Sequence, residues 1–137
     1  MHFVLDASIA LSWCFSDEGT PKTINLLEKL ETGSAMVPSI WFLEISNILV
    51  MAEKRKRISY GKIMEFFSLI EVLDIQVDSY SVDMSYKAIF SIAHKENLTS
   101  YDAAYLELAM RSGLPLASKD IALLKAAKKQ GVKIISC

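Results

Sequence analysis

The sequence predicts an α/β protein with a central parallel sheet of about five strands and helices on both faces. Two observations lead there. Five short runs rich in strand-forming residues are spread along the chain. Stretches of helical periodicity separate them, the arrangement that builds a parallel sheet through crossover helices. The 137 residues contain no linker, repeat or low-complexity segment, so a single domain over residues 1–137 is expected.

The elements follow in order. "HFVL" at 2–5 is the first strand, and helical patterns cover 8–15 and 21–30. Thr20 is a good N-cap, with Pro21 at the first helical position. "AMVP" at 35–38 is the second strand, followed by helices over 39–56 and 59–73. "DIQVD" at 74–78 alternates as a strand should. Helices follow over 81–96 and 100–111. "PLAS" at 115–118 is a strand after the stop at Gly113. A helix over 121–129 ends at Gly131, and "VKIIS" closes the sheet.

The helix over 39–56 contains "WFLEISNILV". Ile40, Leu43, Ile45, Ile48, Leu49 and Met51 wrap most of its circumference, which predicts a buried helix. Glu44 and Asn47 share one side, three residues apart. An unpaired carboxylate there would be costly or strongly raised in pKa. Glu44 therefore needs compensation, by a buried salt bridge or by a cation.

Open parallel sheets bind ligands beyond the carboxyl ends of their strands. Four acids can reach that edge. Asp6 ends the first strand, Glu44 lies in the helix after the second, and Asp120 lies just past the fourth. Asp102 sits in the first turn of a helix whose N-terminus points to the same edge. Each aspartate alone has a simpler reading as a helix cap, although Ser8 competes with Asp6 for that role. Asp102 follows Thr99 by three residues, an approximate capping box. Packed together, however, carboxylates raise one another's pKa, and a hard divalent cation removes the conflict. Mg²⁺ or Mn²⁺ suits such oxygen ligands.

"VLDAS", "EISN", "TSYDAAYLELA" and "LASKD" occur in the order of the four motif blocks of PIN-domain ribonucleases, which this chain resembles over almost its whole length. Its size is similar to that of the VapC-type toxins of toxin–antitoxin pairs. The resemblance implies a PIN-like fold and a metal-dependent endoribonuclease. It implies Asp6, Glu44, Asp102 and Asp120 as the catalytic, metal-holding acids. Ser8 and Asn47 would orient acids or water, and Ser118 would support the turn at Asp120. It also implies an RNA substrate, inhibition by a cognate antitoxin, and a homodimer. Phosphodiester hydrolysis needs an activated water and relief of developing charge, which one or two metal ions supply.

Composition is compatible. The formal net charge is −1, from 15 basic and 16 acidic side chains. Neutralising four acids leaves 12 against the 15 basic groups, a balance of +3. Lys119, beside Asp120, is the candidate for an RNA backbone contact. The "EKRKR" run at 53–57 reads as a solvated helix end or a contact to an RNA flank. Cys14 and Cys137 have no metal-like spacing and read as free thiols in a reducing cytoplasm. The N-terminus lacks a basic leader region, and no long uncharged apolar run exists, so a membrane span is not expected. His2 and His94 lie outside the motifs. Phe66, Phe67, Tyr80, Tyr86 and Phe90 are expected mostly in the core, with any remaining apolar patch available to a partner.

Other classes fit less well. A dehalogenase-type phosphatase needs D-x-D after the first strand, where Ser8 stands at the third position. A receiver domain needs two acids there and a lysine after the fifth strand. A PIN nuclease of RNA maturation and a non-catalytic PIN module that binds RNA or a partner remain as alternatives.

Overall fold

The structure is a computed structural model that describes residues 1–80 and 82–137. Its centre is one five-stranded sheet in the order β3-β2-β1-β4-β5. The strands are β1 (His2–Leu5), β2 (Ser34–Val37), β3 (Ile75–Val77), β4 (Leu116–Ser118) and β5 (Ile134–Ser136). All four pairings are parallel. β1 is central, and Phe3, Val4 and Leu5 are wholly buried, as expected of a strand covered on both faces.

Parallel neighbours require crossovers, and these are right-handed almost without exception. From β1 the chain passes through α1 (Ala7–Ser12) and α2 (Pro21–Leu30) to β2, then α3 (Trp41–Lys54) and α4 (Tyr60–Val72) to β3. It returns through α5 (Val82–Glu96) and α6 (Ser100–Ser112) to β4, on the far side of β1, and α7 (Ile121–Lys129) leads to β5. The two directions of travel put α1–α4 on one face and α5–α7 on the other. Accordingly α1 packs on α3, while α6 packs on both α5 and α7. The reversal falls between β1 and β4, so the crevice beyond their carboxyl ends is the expected ligand site.

The elements match the sequence reading, with three differences. The expected start of the fifth helix, Ser81, lies outside the described residues. The first helix is short and ends at Ser12, whose hydroxyl bonds back to the Ile9 carbonyl at 2.5 Å. The third difference is a correction: α3 is not a buried helix. Only Trp41, Ile45, Leu49 and Ala52 face the core. Phe42, Leu43, Ile48, Val50 and Met51 are all exposed, Leu43 at 73 %. The inward stripe is an ordinary helix face, and the remaining apolar side chains form an outer surface. The aromatics behave similarly. Phe66 is buried, but Tyr80, Tyr86 and Phe90 are exposed.

Candidate active site

β1 and β4 end side by side and deliver Asp6, Ser118 and Asp120 to the switch point. Asp6 stands at the N-cap position of α1 with extended backbone, yet its side chain makes no capping hydrogen bond. Instead Oδ2 accepts from the Ser118 hydroxyl at 2.6 Å and the Ser8 hydroxyl at 3.0 Å. Burial raises the Asp6 pKa. The Ser118 and Ser8 hydroxyls and the Ser8 amide oppose that rise, and the charge of Asp120 adds to it.

Ser118 is wholly buried and bonds in two directions. It donates to Asp6 and accepts from the Asp120 amide at 2.9 Å. Asp120 does cap its helix, with Oδ1 accepting from the Leu123 amide at 2.9 Å. The α7 start thus fixes Asp120, while Ser118 ties that turn to Asp6.

α6 brings Asp102. Thr99 caps this helix by accepting from the Asp102 amide at 3.1 Å, so the carboxylate sits in the first turn. Its pKa is pushed up to about 6, first by burial and then by the charges of Asp120 and Asp6, against a lowering hydrogen bond with Thr99.

Glu44 completes the set. α3 begins at Trp41, so Glu44 lies in its first turn, where the helix dipole favours an anion. Its Oε1 accepts from the Tyr105 hydroxyl at 2.6 Å. The Glu44 pKa is raised by burial and by Asp6 and Asp102, and lowered by Tyr105. Burial, followed by the charges of Glu44 and Asp6, raises the Tyr105 pKa, so its hydroxyl stays a proton donor. Each of Asp6, Glu44 and Asp102 thus feels the charge of another of the four acids.

Asn47 is exposed and makes no hydrogen bond to the acids among the described residues. It lines a groove of about 520 Å³ with Ile40, Leu43, Glu44, Ile48 and Tyr101. Lys119 Nζ points to Glu18, 3.4 Å from its carbonyl and 4.0 Å from its carboxylate. In the basic run, Arg57 is held by Glu18 at 2.6 Å and by Asp17 at 3.2 Å, and lies over the Phe15 ring.

Two features escaped sequence reasoning. One is Tyr105, and the available signal was an i, i+3 spacing from Asp102 on a helix otherwise destined for the core. A buried tyrosine hydroxyl usually finds a partner. The other is Arg111, which binds Glu107 at 2.9 Å, reaches Asp78, and lies over the Tyr80 ring. Asp78, the acid that ends the third strand run, is therefore engaged by Arg111.

No group of three or more His, Cys, Asp or Glu side chains among the described residues forms a ready-made cation cage. A magnesium-type ion does not require one, since one or two carboxylates and several waters usually suffice. The donor set is all oxygen, and the charge of another of the acids helps to raise the pKa of Asp6, Glu44 and Asp102. It fits an open, hydrated site for a hard divalent cation.

The PIN-domain family model matches residues 3–129, and the chain belongs to the PIN-domain family, whose members are typically nucleases. Solved structures share the fold. PAE2754 from Pyrobaculum aerophilum is 20% identical, with a TM-score of 0.70 over 98% of this chain and 92% of that one. The chain in VapBC2 from Rickettsia felis, solved bound to a promoter DNA fragment, is 17% identical, with a TM-score of 0.69 over 100% and 99%. The chain in FitAcB from Neisseria gonorrhoeae is 17% identical, with a TM-score of 0.66 over 98% and 96%. No curated protein matches the sequence.

Proposed function

We propose that the protein is a VapC-type toxin: a metal-dependent endoribonuclease of the cytoplasm, restrained by a cognate antitoxin. The observation that carries this reading is the hydrogen-bonded chain from Asp6 through Ser118 to the Asp120 turn at the β1–β4 switch of a PIN-domain chain. These acids would hold Mg²⁺ or Mn²⁺. When bound, such an ion lowers the pKa of a water and neutralises charge developing on phosphoryl oxygens. Ser8 and Ser118 orient Asp6, Asn47 orients water or substrate at the groove, and Lys119 contacts the RNA backbone once released from Glu18. The similarity to the toxin–antitoxin assembly VapBC2 supports an antitoxin partner. The exposed apolar face of α3 supports a protein interface, which we assign to a homodimer. No described helix is long and apolar enough to cross a membrane.

A crystal soaked in Mn²⁺ tests the site directly. An anomalous peak within coordination distance of Asp6 and at least one other of the four acids is expected. A peak elsewhere, with none at Asp6, contradicts the assignment.

A further inference from the structure

We propose that Tyr105 is a positioning residue of the acidic site, its buried hydroxyl holding the Glu44 carboxylate toward Asp6 and Asp102. This rests on the reading of the four acids as a divalent-cation site.

Two features of the geometry carry it. Tyr105 is wholly buried, and its hydroxyl donates at 2.6 Å to Glu44, 61 residues away. That length belongs to the short, charge-assisted class of O–H···O⁻ bonds. Secondly, Tyr105 follows Asp102 by three residues on α6, so both side chains project from one side of the helix. One helix thus supplies one acid and grips another. A single hydroxyl therefore connects the first half of α6 to the first turn of α3.

Glu44 needs such a tether. Asp6 and Asp102 repel its carboxylate, it is only partly buried, and its long side chain could swing toward solvent. Tyr105 is its one hydrogen-bond donor among the described residues. Packing alone does not explain the hydroxyl, because phenylalanine would fill the core equally well. A partner that fixes a ligand's orientation before the ion arrives is worth about 10–100-fold in metal affinity.

Mn²⁺ titration calorimetry on wild type, Tyr105→Phe, Glu44→Gln and the double variant tests this, with thermal unfolding of each in EDTA. We expect Tyr105→Phe to stay folded in EDTA with a lowered melting temperature, and to bind Mn²⁺ about 10-fold more weakly. The double variant should bind no more weakly than Glu44→Gln, because Tyr105 acts through Glu44. Wild-type affinity in Tyr105→Phe, beside weakened binding in Glu44→Gln, overturns the role of Tyr105 and leaves the cation site standing. Wild-type affinity in Glu44→Gln overturns the place of Glu44 in the cation site and, with it, the proposal. A measurement on the unmodified protein covers failure of the variant to fold. NMR of the metal-free chain should show a single Glu44 rotamer in contact with the Tyr105 ring, and rotamer averaging overturns the proposal.

Discussion

Ser118 donates a hydrogen bond of 2.6 Å to Asp6, across 112 residues of sequence. Because Ser118 also receives the Asp120 amide, one hydroxyl locks the end of β1 to the start of α7. Ser118→Ala removes the largest influence opposing the rise in the Asp6 pKa. We expect a loss of about 1–3 kcal/mol in metal-free stability at pH 7, the cost of an unsatisfied buried group. Urea unfolding in EDTA measures it, and wild-type stability would show that Ser118 merely fills space.

Asp102 sets a pH dependence. Its carboxyl is raised from the ordinary 3.8 to about 6. Below about pH 3 it is largely protonated in both the folded and unfolded chains. As pH rises toward 6 the unfolded chain gives up its proton first, so the metal-free fold loses stability across that window. The group is partly exposed, so solvent screening reduces the penalty to about 1 kcal/mol. Asp102→Asn should therefore raise the melting temperature in EDTA at pH 7 by a few degrees. At pH 3, below the ordinary carboxyl value of 3.8, the gain should vanish. An equal gain at both values would mean that the charge of Asp102 is not the cause.

Mn²⁺ should reverse the same penalty. Saturating the wild type at 100 times its dissociation constant should stabilise it by about 2.7 kcal/mol. Asp6→Asn should respond far less. Equal shifts in the two proteins would place the ion away from Asp6.

Away from the acids, Arg111 bridges Glu107 and Asp78, whose side chains are 9% and 11% exposed. Arg111→Met leaves two nearly buried carboxylates without their cation. We expect a loss of about 2–4 kcal/mol, reduced from the fully buried case because Arg111 is itself partly exposed. Lysine should restore little, since it cannot reproduce the forked contact. Mn²⁺ affinity should not change, which calorimetry on the folded variant would check.

The outer face of α3 is the proposed homodimer surface. Phe42 and Val50 are each 46% exposed. The pair Phe42→Glu, Val50→Glu should leave the melting temperature of the monomer within a degree or two, as surface changes usually do. Sedimentation velocity should show the dimer of the wild type replaced by monomer. A variant that still dimerises assigns the interface to another face.

Local patterns made most of the architecture legible. Alternation marked β3, Thr20 and Pro21 marked the start of α2, and Gly113, at a φ of +70°, marked the end of α6. The four acids were singled out because strand ends and helix starts share one edge of a parallel sheet. The capping alternative described Asp120 well and Asp6 poorly, a distinction that depends on where Ser118 falls in three dimensions. α3 misled because apolar periodicity reports only a need for cover. It does not say whether the cover is the chain's own core or another surface. The links from Tyr105 to Glu44 and from Arg111 to Asp78 span 61 and 33 residues, and no local pattern encodes them.

The most direct test of the acidic site as a nuclease centre is cleavage of a structured RNA pool by purified, antitoxin-free protein. Wild type and Asp6→Asn would be compared in Mn²⁺, Mg²⁺ and EDTA. We expect discrete cuts by the wild type with either metal, none in EDTA, and a loss of at least 100-fold in Asp6→Asn. Cutting that persists in EDTA or in Asp6→Asn would contradict the metal-dependent role assigned to these acids.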